Sequence, residues 1–290
     1  MAAVARAWFV AAHLIWDRWV GFWGLTAGGA GMGKSHRQVR RLGVRFVAVA
    51  AAAVTLGPSP VLAAPAPVAP RVVSLTFDDG RVSQSVVDRL LAAHQMVGTF
   101  YIITGAVNVG GSDPESLTWP QIHRLADDGN EIAAHTRTHP DLPTLNPPAQ
   151  TAEICGSRQD LIAQGFPTIS FAYPYGDYTP TTEAIVKQCG FASGRGASGG
   201  AETIPPADRY AMRTLDNVVD TDSVARLEAQ TATAKPGQWL DYVFHDVGNP
   251  YPGGDQYRVT TADFTSFLDW LASQRTKGTV VIRTVGSVVP

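Results

Sequence analysis

The stretch Val72-Val73-Ser74-Leu75-Thr76-Phe77-Asp78-Asp79-Gly80 governs the reading of this 290-residue chain. Its apolar, β-branched run has the length of a buried strand, and Gly80 permits the sharp turn that presents both aspartates at the strand's C-terminal end. Downstream, His135-Thr136-Arg137-Thr138-His139 sets two histidines four positions apart. If that segment makes a helical turn, both imidazoles meet one ion, and Asp plus two His is a ligand set suited to zinc or a similar divalent cation. One carboxylate can then hold the metal while its neighbour handles a proton, and three protein ligands leave a position open for water.

Outward from this strand, short apolar runs alternate with amphipathic stretches. The pattern predicts strands at 72–78, 97–103, 131–135, 169–174, 192–196, 209–215, 239–245 and 279–285. Helices are expected between them at about 84–95, 118–128, 148–164, 180–188, 221–234 and 261–275. That alternation is the signature of parallel β/α units in a single domain, and no internal repeat is visible. In α/β barrels the chemistry gathers where strands run out at their C-terminal ends. Asp78 and Asp79 end the first strand, His135 the third, and His245 the run Trp239-Leu240-Asp241-Tyr242-Val243-Phe244-His245, while Tyr175 and Gly176 follow the fourth. His94 and His123 fall in helical stretches away from strand ends and read as surface residues.

The first 63 residues differ from the rest. From Met32, a basic stretch Lys34 to Arg45 leads into an apolar run from Phe46 to Leu56 and then Val61-Leu62-Ala63, which is the order of an export signal cleaved near Ala63. Residues 1–31 read as an upstream extension. Residues 64–71, with Pro65, Pro67 and Pro70, form a short stiff linker, and the domain runs from 72 to 290. Without 1–63 the chain has 16 basic against 24 acidic residues, a net charge of −8 that argues against nucleic acid as a partner. The expected product is a secreted or cell-envelope monomer with no stable membrane partner. Cys155 and Cys189, the only cysteines, are most simply a disulfide in an exported protein. No serine sits in a Gly-x-Ser-x-Gly elbow and neither cysteine lies near a motif, which counts against a nucleophile-based esterase.

Taken in order, Thr76-Phe77-Asp78-Asp79-Gly80, His135-Thr-Arg-Thr-His139, Phe171-Ala-Tyr-Pro-Tyr175-Gly176 and Val243-Phe244-His245 resemble the motifs of the polysaccharide deacetylases, the NodB-homology group of carbohydrate esterase family four. The similarity extends through Gly129-Asn130-Glu131-Ile132 to Thr284-Val285-Gly286, essentially the whole domain. The resemblance implies a distorted (β/α) barrel of about seven parallel strands, holding one divalent metal and removing acetyl groups from N-acetylated glycans such as chitin, peptidoglycan or poly-N-acetylglucosamine. It implies metal ligation by Asp79, His135 and His139, with zinc the expected ion. Asp78 would be the general base, the backbone N–H of Tyr175 an oxyanion donor and His245 the general acid. Asp216 is the first candidate for the acid that orients His245, with Asp246, Asp220 and Asp222 behind it.

One departure stands out. The family's third motif often carries an arginine that pairs with the base, and here that position is Ala172. Arg213 and Arg195, each near a predicted strand end, are candidates to supply the charge. The same metal site could serve an O-acetyl ester hydrolase, and a non-catalytic carbohydrate-binding domain is the reading from a different class.

Overall fold

A computed structural model describes residues 68–108, 115–248 and 256–289, so the expected signal and the first half of the linker lie outside the described residues. The central strand is β1 (Arg71–Phe77), and it is followed by α1 (Val87–Ala93), β2 (Thr99–Ile102), α2 (Trp119–Asp127), β3 (Glu131–Ala134) and α3 (Pro147–Ala163). Next come β4 (Ser170–Ala172), α4 (Pro180–Gln188), β5 (Ser193–Gly199), β6 (Met212–Thr214), α5 (Val224–Thr233) and β7 (Trp239–Phe244). A two-strand ladder of β8 (Asp246–Val247) and β9 (Arg258–Val259), then α6 (Thr261–Thr276), β10 (Val280–Ile282) and α7 (Val285–Val288) complete the described chain. Helix starts are legible in sequence: Thr118, Asn146, Thr179, Ser223 and Thr260 each accept from the N–H three residues on.

All pairings in the main sheet are parallel, and its neighbours run β1-β2-β3-β4-β5-β6 with β7 on the far edge of β1. The ring is completed by backbone hydrogen bonds from Leu215 to Asp241 and from Val218 to Val243, both at 2.9 Å, which join the segment after β6 to β7. The result is the distorted barrel the sequence implies. Its irregularity also shows on β1, whose one edge is shared by β10 at residues 71–73 and β2 at residues 76–77.

Alternation along β1 divides its side chains between two environments. Val73, Leu75 and Phe77 turn outward into the apolar layer under the helices, with Phe77 stacked on Phe100 at 4.7 Å and on Phe244 at 5.6 Å. Ser74, Thr76 and Asp78 turn into the barrel. Their register partners carry the same parity, so Asp241 and Val243 on β7 and Thr99 on β2 also point inward. At the end opposite the strand tips, Trp239, Met212, Val285 and Val289 close the interior. The Gly-Asn-Glu and Thr-Val-Gly motifs meet there as a structural stitch, since Glu131 Oε2 accepts from the Gly286 N–H at 2.8 Å and from Thr99 Oγ1 at 3.0 Å.

Three expectations need correction. The last strand ends at Ile282, because the chain turns into α7 from Val285, whose N–H donates to Thr99 Oγ1. The first helix begins as a tighter 3₁₀ turn over Val82–Val86 before α1. His94 and His123 are partly covered instead of free on the surface: His94 bonds Leu90 O and Asp269, and His123 packs on Phe166 at 4.7 Å.

Candidate active site

The strand tips of β1, β3 and β7 and the turn after β4 open into one cleft of about 340 Å³, lined by Asp78, Asp79, His135, His139, Tyr175 and His245 among others. Asp79, His135 and His139 offer ligand atoms that all lie within 4.8 Å of one another. Asp79 Oδ1 is 3.7 Å from His135 Nε2 and 3.6 Å from His139 Nε2, and the two Nε2 atoms are 3.2 Å apart. His135 Nδ1 donates to Ala172 O at 2.8 Å, which leaves Nε2 bare and turned toward the other two ligands. A carboxylate and two imidazoles converging this way fit one divalent cation.

The histidines do not meet through the expected helical turn. Residues 135–139 form a loop in which Thr136 and His139 adopt φ values of 65° and 58°, and its shape is fixed from outside. Glu153 on α3 accepts from the N–H groups of Arg137 and Thr138, each at 2.9 Å, while Arg137 forks onto Asp160 at 2.7 and 2.8 Å. Thr136 Oγ1 accepts from His139 N–H at 2.9 Å. Asp79 and Tyr175 also have positive φ, 74° and 60°, so four of the five non-glycine residues with positive φ among those described lie at this cleft. Backbone held in such regions is a mark of functional geometry.

Gly105 lies against the same loop: a Cβ there would come within 2.5 Å of the Arg137 carbonyl oxygen. Gly105→Ala is therefore expected to displace the histidine loop, lowering stability by about 1–3 kcal/mol and the affinity for a divalent cation by about tenfold. Thermal melts and a competitive zinc titration check both effects.

Asp78 is almost fully buried, 4% exposed, and its Oδ1 is bound by Nη2 of Arg195, which is completely buried. Burial alone would raise the Asp78 carboxyl; the Arg195 guanidinium, with His135 and His245, more than offsets it and holds Asp78 below the usual carboxylate range. Arg195 stands beside Ala172 in the β4–β5 register, so the cation absent from the third motif is supplied by the adjacent strand. The small side chains of Ala133 and Ala172 leave room there for Tyr101 and Arg195, whose guanidinium lies 4.3 Å from the Tyr101 ring centroid. Arg213, the other candidate, is half-exposed and pairs with Glu202 at 3.0 Å, away from the cleft.

Asp79 is also held low: burial opposes ionisation, and His135, His245 and Arg81 outweigh it. Burial lowers the proton affinity of His139, and His135 beside it adds to the effect, which favours the neutral imidazole a metal needs.

Tyr175 sits on the turn after β4, 65% exposed, with its ring edge-on to His139 at 4.6 Å. His245 packs near Tyr257 at 5.0 Å, and its buried Nδ1 has no hydrogen-bond partner. Asp216 is exposed and does not line the cleft; its neighbour Asn217 does, with a buried, unpartnered Oδ1.

Three contributors were not read from the sequence. Gln84, fully buried, donates from Nε2 to the carbonyls of Asp78 at 2.5 Å and His245 at 3.0 Å, tying the two strand tips together. Arg81 bridges Asp79 at 2.9 Å and Asp246 at 2.5 Å. Asp241 lies behind Arg195. The only hint of the last was a charge inside an otherwise apolar strand.

The family model described as Polysaccharide deacetylase matches residues 66–194. A chitooligosaccharide deacetylase of Bradyrhizobium sp. (strain ANU 289) is 29% identical over 198 residues, covering 66% of this chain and 77% of that protein. Among solved structures, the Streptococcus pyogenes deacetylase PplD in complex with acetate is 27% identical with a TM-score of 0.50, over 55% of this chain and 69% of that one. The Xyl-CE4 domain of a multidomain xylanase from the hindgut metagenome of Trinervitermes trinervoides shares the fold at 18% identity, with a TM-score of 0.54 over 76% of this chain and 89% of that one. In sequence and fold the chain is therefore similar to the polysaccharide deacetylases, as its ordered motifs imply.

Proposed function

We propose that this protein is an exported, zinc-dependent hydrolase that removes acetyl groups from N-acetylated oligo- or polysaccharides. The observation that carries this reading is the convergence of Asp78, Asp79, His135, His139, Tyr175 and His245 on one cleft. A divalent ion held by Asp79, His135 and His139 would supply Lewis acidity toward a water and the acetyl carbonyl. Asp78, kept ionised by Arg195, takes the proton of the attacking water. The tetrahedral oxyanion that follows accepts a hydrogen bond from the Tyr175 N–H. His245 then gives a proton to the departing amine, and this step favours amide over ester substrates, because an unprotonated amine is a poor leaving group.

Chitooligosaccharides are the first substrate to try, in keeping with the activity named for the Bradyrhizobium relative. Export is supported by the Cys155–Cys189 disulfide, whose Cα atoms are 5.0 Å apart, since such bonds persist in oxidising compartments. The test is acetate release from N-acetylated chitooligosaccharides by the purified protein, stripped of metal and then given zinc. Release that returns with zinc supports the reading. No release, with zinc bound, sinks it for chitin-type substrates and turns attention to acetate esters or peptidoglycan.

A further inference from the structure

Asp241 lies inside the barrel, opposite Ser74 in the β1–β7 register and therefore deeper than Asp78 on the same inward face. It is 3% exposed, and the Thr76 hydroxyl beside it donates to Tyr242 O at 2.9 Å, which leaves both carboxylate oxygens without a well-formed hydrogen bond. The cation facing it is Arg195, whose Nε stands 3.8 Å from Asp241 Oδ2 and has no other acceptor. The remaining sides of that guanidinium are taken. Nη2 binds Asp78, Nη1 donates to Gly196 O at 3.1 Å, and the flat face lies over Tyr101. Arg195 is thus held between two carboxylates, one at the cleft and one beneath it.

A buried carboxylate with so few partners does not repay its loss of hydration, and an apolar residue such as Val243, the next inward position of β7, would fill the site more stably. Its presence calls for a role in the chemistry above it. We infer that Asp241 is a positioning residue for deacetylation, fixing the Arg195 guanidinium from behind so that Arg195 holds the Asp78 carboxylate in line with the attacking water. The inference rests on the proposed role of Asp78 as base. Burial pushes the Asp241 carboxyl up to about 7, with Arg195 on β5 and the Thr76 hydroxyl on β1 opposing and Asp78 on β1 and Glu131 on β3 adding to the rise; Tyr101 on β2 also faces it. The comparison belongs at pH 8, where Asp241 is ionised beside Arg195.

The experiment measures kcat and KM for an N-acetylated chitotetraose with zinc-loaded protein, together with zinc affinity by competitive titration. The variants are Asp78→Asn, Asp241→Asn, Arg195→Met and the double variant of the last two. Asp241→Asn is expected to lower kcat about tenfold with KM and zinc affinity within about twofold. In the Arg195→Met background the same change is expected to cause no further loss, because the effect passes through Arg195. A kcat within twofold of wild type, with Asp78→Asn inactive, overturns the inference and leaves the base in place. Additive losses in the double variant overturn it as well, and an active Asp78→Asn overturns the base reading itself. If Asp241→Asn does not fold, Asp241→Ser carries the same comparison.

Discussion

Asp78→Asn is expected to lower the turnover of acetylated chitooligosaccharides by about 100-fold to 10,000-fold while zinc affinity stays within about twofold. The amide keeps the shape of the carboxylate and leaves an oxygen for Arg195, so neither packing nor the proposed ligands Asp79, His135 and His139 is disturbed. What is lost is the acceptor for the water's proton. Steady-state kinetics beside a zinc titration separate the possibilities. Turnover equal to wild type would remove Asp78 from the mechanism, and a joint loss of zinc and turnover would make it a ligand.

Arg195→Met carries the largest expected effect on stability. It leaves Asp78 buried without its cation, a change that costs about 3–5 kcal/mol. For a domain of this size that lowers Tm by roughly 6–20 °C. The sign of its pH dependence follows from the position of Asp78. In the wild type its folded pKa lies below the unfolded 3.8, so the pair contributes stability above that value and loses it as pH falls through the folded pKa. In the variant, burial is no longer outweighed and the carboxyl rises. The Tm gap between the two proteins should therefore be wide at pH 7 and shrink below pH 4. A gap that stays constant across that range would show that Arg195 stabilises by packing on Tyr101 and not by pairing with Asp78.

Much of the barrel and its cleft was legible because strands and amphipathic helices leave different periodicities, and because side chains at strand tips must face the open end. Lateral register was not legible. Ala172 announced a missing cation, but nothing in one chain tells that Arg195 stands beside it, and Arg213 had an equal claim until the β4–β5 pairing was known. Asp216 and Asn217 illustrate the same limit along one segment: a shift of one residue near a strand end exchanges the buried side for solvent. The loop at 135–139 was misread as a helical turn because Thr and His do not declare a left-handed backbone; Glu153 and Thr136 impose it through hydrogen bonds. Gln84 was invisible for another reason. Its work is done on two backbone carbonyls, and a glutamine between two serines carries no mark of that.

The disulfide has a reach beyond its own two residues. Cys155 and Cys189 bracket β4, the Pro174-Tyr175-Gly176 turn and α4, with a sequence separation of 34. Closing a loop of that length removes about 4 kcal/mol worth of freedom from the unfolded chain in the chain-entropy account. The tether also ties the C-terminal end of α4 to α3, the helix whose Glu153 shapes the histidine loop. Loosening of α4 and of the helix behind the histidine loop is thereby coupled, so a protease probing the folded protein meets the Tyr175 turn within a closed loop and not as an independent flap.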